Sequence, residues 1–308
     1  MCKVLFCVAI LLALVSPSTL SAQPSTGIAY DMVTKYATSN TTSLATSAAP
    51  DSYDPSTFEA DYTAATQAGS HSGSIVRMYM APSKERFDMG NVASIVDCTA
   101  KTLTTLDLLK KRYTVKSLGA GAALPQPSAS PAEAPFPIGA LGDMKSTTTE
   151  DTRALGRREV GGRSVDVYET TEDGTMSFSA VTMTMHSVAT RYYDAETMHA
   201  VEPSCGGKGS IAAFSAVTGG IGLPLGQLLG HSQDVSSNFK VTKTGISLPS
   251  ESEHMLLYSK AVATIQDAAM AMTMTVTTIA EVGHIRSITD ADPAFTVPSD
   301  FTLVQSLN

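Results

Sequence analysis

Between residues 74 and 115 the chain alternates apolar and polar positions with the period of a β-strand. In SIVRMYM, Val76, Met78 and Met80 share one side while Ile75, Arg77 and Tyr79 share the other. KERFDM continues after an Ala-Pro-Ser turn. VASIVDC and TLTTLDL follow, split by Thr-Ala-Lys, and LKKRYTV returns after a charged corner. Connections this short cannot carry parallel crossovers, so the pattern predicts an antiparallel meander forming one wall of a curved sheet.

The same period brackets the meander on both sides. GIAYDMVTKY, from Gly27, reads as a strand ahead of it. In RREVGGRSVDVYETT, Gly161-Gly162 separates two strand-like runs as a hairpin turn. SFSAVTMTMHSV and TRYYDAETM come next, the second with its corner at Asp194-Ala195-Glu196. NFKVTKTGISL, HMLLYSKAVATI and AMAMTMTVTTIAEV complete a reading of about ten strands.

Three segments break this rhythm. Residues 37–72 are rich in Ser, Thr, Ala and Asp and nearly lack large aliphatic side chains, which predicts a mobile excursion. Residues 119–143 are rich in Pro and Ala and predict a second. In 209–230, Ile211, Ala212, Phe214 and Ala216 fit a short apolar helix ended by Gly219-Gly220, and Leu223, Leu225, Leu228 and Leu229 form a further apolar cluster. Such a piece serves either as a plug or lid or as the cover that completes a core. The expected fold is mainly β, a curved antiparallel sheet or unclosed β-barrel with a short helical plug or lid.

The beginning of the chain changes the picture of where this sheet works. Lys3 precedes an apolar run from Val4 to Val15, and small residues lead to Ala22, the pattern of a secretory signal peptide over 1–22. Residues 23–308 then form a single domain, exported in soluble form to the periplasm or the extracellular space. No later segment reaches the roughly 18 uninterrupted apolar residues that a membrane span needs. The leader removes only one of 21 basic residues against 29 acidic ones, so the mature chain is acidic and disfavours nucleic acid. Cys98 and Cys205 survive processing, and in an oxidising compartment they are either a disulfide or two buried thiols. The absence of CxxC argues against thioredoxin-like redox chemistry and a cysteine zinc site.

The run from Arg86 to Val115, the Gly-Gly-Arg-Ser-Val-Asp-Val-Tyr hairpin, RYYDAET and the closing FTVPSDFTLV together resemble, in order, exported bacterial proteins related in fold to the lipoprotein carriers LolA and LolB. The resemblance covers most of 73–305. It implies an unclosed β-barrel with helices in its concave face and an apolar cavity for acyl chains. The chain departs from the carriers in its two long excursions, its length and its methionine content, and the resemblance transfers no functional residue.

Alternating methionines are the most distinctive chemical feature: Met78 and Met80, Met183 and Met185, and Met270, Met272 and Met274. On strands each set lies on one face and offers a deformable thioether surface, suited to an apolar ligand or to an ordinary core. With Phe214, Leu225 and Leu228 they are the ligand-cavity candidates. A Cu(I) site is the sharper alternative, since thioethers suit that ion and His186 and His199 lie near one set. Same-face neighbours stand roughly 7 Å apart along a strand, too far to define a compact site alone. The six histidines, His71, His186, His199, His231, His254 and His284, form no HExxH or His-x-His pair and read as surface or core residues. GSHSG at 69–73 has histidine where a nucleophile elbow needs serine, and GGIGLPLG lacks a parallel βαβ context. Glu150-Asp151 and Glu172-Asp173 read as solvated turn residues. No catalytic residue, metal site or cofactor is expected. The leading functional expectation is a non-enzymatic exported protein binding a lipid or other apolar ligand in a concave cavity. The alternatives are an envelope structural or protein-interaction module with a filled core, and a hydrolase whose residues converge only in three dimensions.

Overall fold

The computed structural model describes residues 26–40, 53–68, 73–118, 145–178, 181–196, 239–249, 254–267 and 272–307. They form one unclosed sheet of thirteen strands. In chain order these are β1 (Gly27–Asn40), β2 (Gly73–Met80), β3 (Lys84–Met89), β4 (Val92–Asp97), β5 (Thr102–Asp107), β6 (Arg112–Ser117), β7 (Lys145–Val160), β8 (Arg163–Phe178), β9 (Val181–Asp194), β10 (Phe239–Gly245), β11 (Leu256–Asp267), β12 (Met272–Ile288) and β13 (Thr302–Leu303). Their spatial order is β10-β7-β8-β9-β11-β12-β1-β2-β3-β4-β5-β6-β13. The mainly β, unclosed architecture agrees with the sequence reading. The sheet is mixed, however, because β10 runs parallel to β7 and β13 parallel to β6.

The meander is β3 to β6, and its two wide turns repeat one device. Asp97 Oδ1 accepts from the Ala100 N–H at 2.7 Å, and Asp107 Oδ1 accepts from the Lys110 N–H at 2.8 Å. Each turn then closes on a lysine in the left-handed region, Lys101 at φ 51° and Lys111 at φ 50°. A side chain there costs roughly 1–2 kcal/mol, against about 0.4–1 kcal/mol of extra unfolded-state entropy for glycine. Lys101→Gly is therefore expected to raise stability in urea unfolding by about 0.5–1 kcal/mol. Lys111→Gly should gain less, because Lys111 Nζ also bonds Asp300 Oδ2 at 2.8 Å. The Gly161-Gly162 turn joins β7 to β8 as expected, with φ of 56° and 77°.

Pairing register assigns the faces, since directly opposed residues share one. On one face lie Tyr30, Met32, Val76 and Met78, all buried. On the other lie Ala29, Asp31 and Val33 of β1, with Tyr192 and Tyr258 farther across the sheet. We call these the methionine face and the helix face. The helix face carries α1 (Phe58–Ala68), entered through a short 3-10 turn that Asp54 caps by accepting from the Ser56 N–H. After β12 the chain crosses the same face of the meander, where Phe295, Val297 and Phe301 pack around Ala93, Ile95 and Leu106.

Regular structure inside the 37–72 tract differs from the expected excursion: β1 runs to Asn40, and α1 occupies 58–68. The aromatic pair Phe58 and Tyr62, one helical turn apart, supplies the anchoring surface that the missing aliphatics would otherwise provide. The acidic pairs Glu150-Asp151 and Glu172-Asp173 lie within β7 and β8, not at turns. Residues 1–22, 119–143 and 209–230 lie outside the described residues, as do Met270, Cys205, Phe214, Leu225 and Leu228.

Candidate functional site

The long strands β7, β8, β9, β11, β12 and β1 carry a lattice of side chains that register makes legible. Across the methionine face one row reads Gly174, Met185, Ile265 and Met274, on β8, β9, β11 and β12. The next row toward that end places Met176 opposite Met183. The row on the other side runs Glu172, Ser187, Ala263 and Val276, and beyond it Thr170, Ala189, Ala261 and Thr278. Met176, Met183, Met185 and Met274 are half-buried. Ala189, Ala261 and Ala263 are buried and pack with Met185. The face is thus a floor of small side chains bordered by flexible thioethers, which adapts to irregular apolar shapes.

Two of the methionine sets therefore converge through β11. The third does not: Met78 lies in the main core and Met80 packs against it. They pair with Tyr30 and Ile28, whereas Met274 pairs with Asn40, about 33 Å farther along β1 by the rise per residue. Met272 opens β12. Cys98 is disulfide-bonded, to a residue outside the described ones.

At the near edge of the small-residue floor sits Arg191, 4% exposed, opposite Ser259. Its Nη1 donates to Thr170 Oγ1 at 2.7 Å, and Thr170 and Thr152 share a hydroxyl contact of 3.1 Å. Glu172 lies on the same face, and burial raises its carboxyl above the ordinary range against the opposing effect of Arg191. The face thus carries buried Arg191 beside Glu172 at one end and Asp267, 4% exposed and opposite Met183, at the other.

The helix face offers two further constellations. Under α1, His284 occupies a β-bulge of β12 opposite β1, in the left-handed region at φ 52°. Its Nδ1 meets Asp31 Oδ2 and its Nε2 meets Glu59 Oε1, each at 2.8 Å. The Asp31 and Glu59 hydrogen bonds raise its pKa. Its ring stands edge-on to Phe58 and Tyr62, and Arg77 donates to the Tyr62 hydroxyl at 2.8 Å. Lys35 pairs with Asp61. Beneath this layer Glu281, 2% exposed, has its Oε1 without a hydrogen bond, and burial pushes its carboxyl up to about 7, reinforced by Asp61. Tyr53 wedges between Tyr192 and Tyr258 at ring separations of 5.6 and 4.9 Å. Burial, then the Glu281 charge, pushes its phenol up to about 12.

Farther along the same face a trough of about 470 Å³ opens over β7, β8, β9 and β11. At its centre His186 Nδ1 contacts Asp173 Oδ1 at 2.7 Å. Thr264 stands directly opposite His186 on β11.

Sequence reasoning missed His284, Glu281, Arg191 and the His186–Asp173 pair. None sits in a local motif: His284 and Glu281 depend on elements distant in sequence, and Arg191 and the His186–Asp173 pair on the register of the consecutive strands β8 and β9. Among the described residues there is no cluster of three metal-ligating side chains, and no helix is long and apolar enough to cross a membrane. No protein-family model matches the chain, and a search of curated proteins returns no match.

Proposed function

We propose that this protein is an exported, non-enzymatic binder of an acyl-chain or similarly apolar ligand, which lies along the methionine face. The observation that carries the reading is the register that sets Met176, Met183, Met185, Ile265 and Met274 in successive rows beside Ala189, Ala261 and Ala263, with Met185 packed on the alanines. Small side chains and deformable thioethers are the surface that suits a chain of methylenes. Burial supplies about 25 cal/mol per Å² before the costs of association. The leader-like beginning of the chain and the likeness to lipoprotein carriers favour the same reading.

The test is native mass spectrometry of protein purified from the exported fraction without detergent, with a lipid extract in parallel and a fluorescent fatty acid as probe. A stoichiometric lipid, or uptake of the probe, is the expected result. Ala261→Leu, which fills the floor, should weaken probe binding roughly tenfold or more, the factor that about 1.4 kcal/mol produces. An empty protein that takes up no probe would overturn the proposal in favour of an envelope interaction module with a filled core.

A further inference from the structure

We propose that the trough around His186 and Asp173 is a binding site for a neutral, polyhydroxylated ligand, chemically a carbohydrate. It lies on the opposite face from the methionine floor and stands independently of the acyl-chain reading. Its volume of about 470 Å³ falls within the range of small-molecule sites.

The lining decides the class. Thr147 and Thr149 of β7, Thr175 of β8 and Thr184 of β9 stand in two adjacent cross-strand rows, all exposed. Each presents a hydroxyl that both donates and accepts beside a methyl group, the same alternation of polar and C–H surface that a pyranose ring offers. Gln266 adds an amide with donors and an acceptor. Gly174 and Met185 complete the lining, but their side-chain positions belong to the methionine face, so they contribute backbone.

Threonine alone is a good residue for any exposed strand, and a row of it needs no ligand. The acid–imidazole pair is different. Aspartate is disfavoured inside strands, yet Asp173 stands mid-strand with its side chain 67% exposed and turned to His186 at 2.7 Å. The contact occupies Nδ1 and fixes the ring. An oriented imidazole and a carboxylate with an accessible second oxygen are the groups that hold vicinal hydroxyls. Among the described residues no Lys or Arg lines the trough, and Asp173 opposes an anion, which argues against phosphate or sulfate.

Isothermal titration and saturation-transfer NMR with maltotriose, cellotriose and triacetylchitotriose test the proposal, with inorganic phosphate as the anionic comparison. At least one trisaccharide should bind with a dissociation constant near or below about 1 mM, and phosphate should not. Asp173→Ala should weaken that binding about tenfold or more, and the near-isosteric Thr184→Val several-fold, the effect of lost hydrogen bonds. Unchanged thermal unfolding and unchanged fatty-acid uptake in Thr184→Val separate loss of this site from misfolding and from failure of the acyl-chain reading. Absence of binding by all three sugars, equal binding in both variants, or preference for phosphate overturns it.

Discussion

Gly283→Ala is expected to destabilise the protein as severely as Phe58→Ala, by about 3–5 kcal/mol, although it adds a single methyl group. Gly283 pairs with Asp31 in the middle of the sheet, and its φ is unremarkable. Its requirement is space. A β-carbon there would lie 2.4–2.6 Å from three ring atoms of Phe58, which is buried against that backbone. The obstacle is a rigid aromatic ring and not the tip of a flexible side chain, so accommodation means lifting the first turn of α1. The Lys35–Asp61 pair and the two contacts of His284 would be strained with it. The double variant Gly283→Ala/Phe58→Ala provides the decisive comparison, because the methyl group then occupies space the ring has left. Its urea stability should match that of Phe58→Ala alone, a coupling of at least about 2 kcal/mol. Additive losses would show that Gly283 acts through the backbone instead. Hydrogen exchange adds the local readout: amides of α1 should lose protection before those of β1 and β12.

Why α1 escaped the sequence reading is visible in the same contacts. Its tract has almost no Leu, Ile or Val, and a rule that equates ordering with aliphatic burial passes over it. Two aromatic residues and a set of ionic tethers hold the helix instead. The strands were legible because period-two alternation and turn residues are local signals. The Asp97 to Lys101 and Asp107 to Lys111 turns and the Gly161-Gly162 hairpin all fall where composition points. Parallel pairing of β10 with β7 was not legible, since it joins residues nearly a hundred positions apart. The methionine sets show the boundary most clearly. Alternation correctly put Met183 with Met185 and Met78 with Met80 on single faces, but only the register reveals that the first pair meets Met274 and the second belongs to the core. Glu172-Asp173 failed for the opposite reason. Adjacent acids suggest a solvated corner, whereas here they point to opposite faces of a strand, one toward Arg191 and one toward His186.

The largest pH effect should come from Glu281. Its carboxyl moves from an ordinary 4.5 to about 7 in the folded protein, which corresponds to on the order of 3 kcal/mol of cost for holding the charged form. Because the folded state binds the proton more tightly than the unfolded chain, stability falls as pH rises from about 4.5 to about 7. His284 acts in the same direction. Its raised pKa, due first to Asp31 and then Glu59, means that its contribution is complete below its ordinary 6.5 and is lost as pH rises through the folded value. On the acid side Asp166 and Asp292, held below the usual carboxylate value by Arg157 and Arg286, lose their contribution as pH drops below about 4. Maximum stability is therefore expected near pH 4.5, with a progressive loss from there to about pH 7. Glu281→Gln separates the groups, since it keeps the shape and removes the charge. In unfolding experiments it should raise stability by about 2–3 kcal/mol at pH 8 and change it little at pH 5. His284→Asn should do the reverse, losing stability at pH 5 through its broken contact with Glu59 and little at pH 9, because asparagine tolerates the left-handed backbone. If Glu281→Gln instead costs stability equally at both pH values, the buried carboxylate is ionised and paired throughout, and the acid optimum must arise elsewhere.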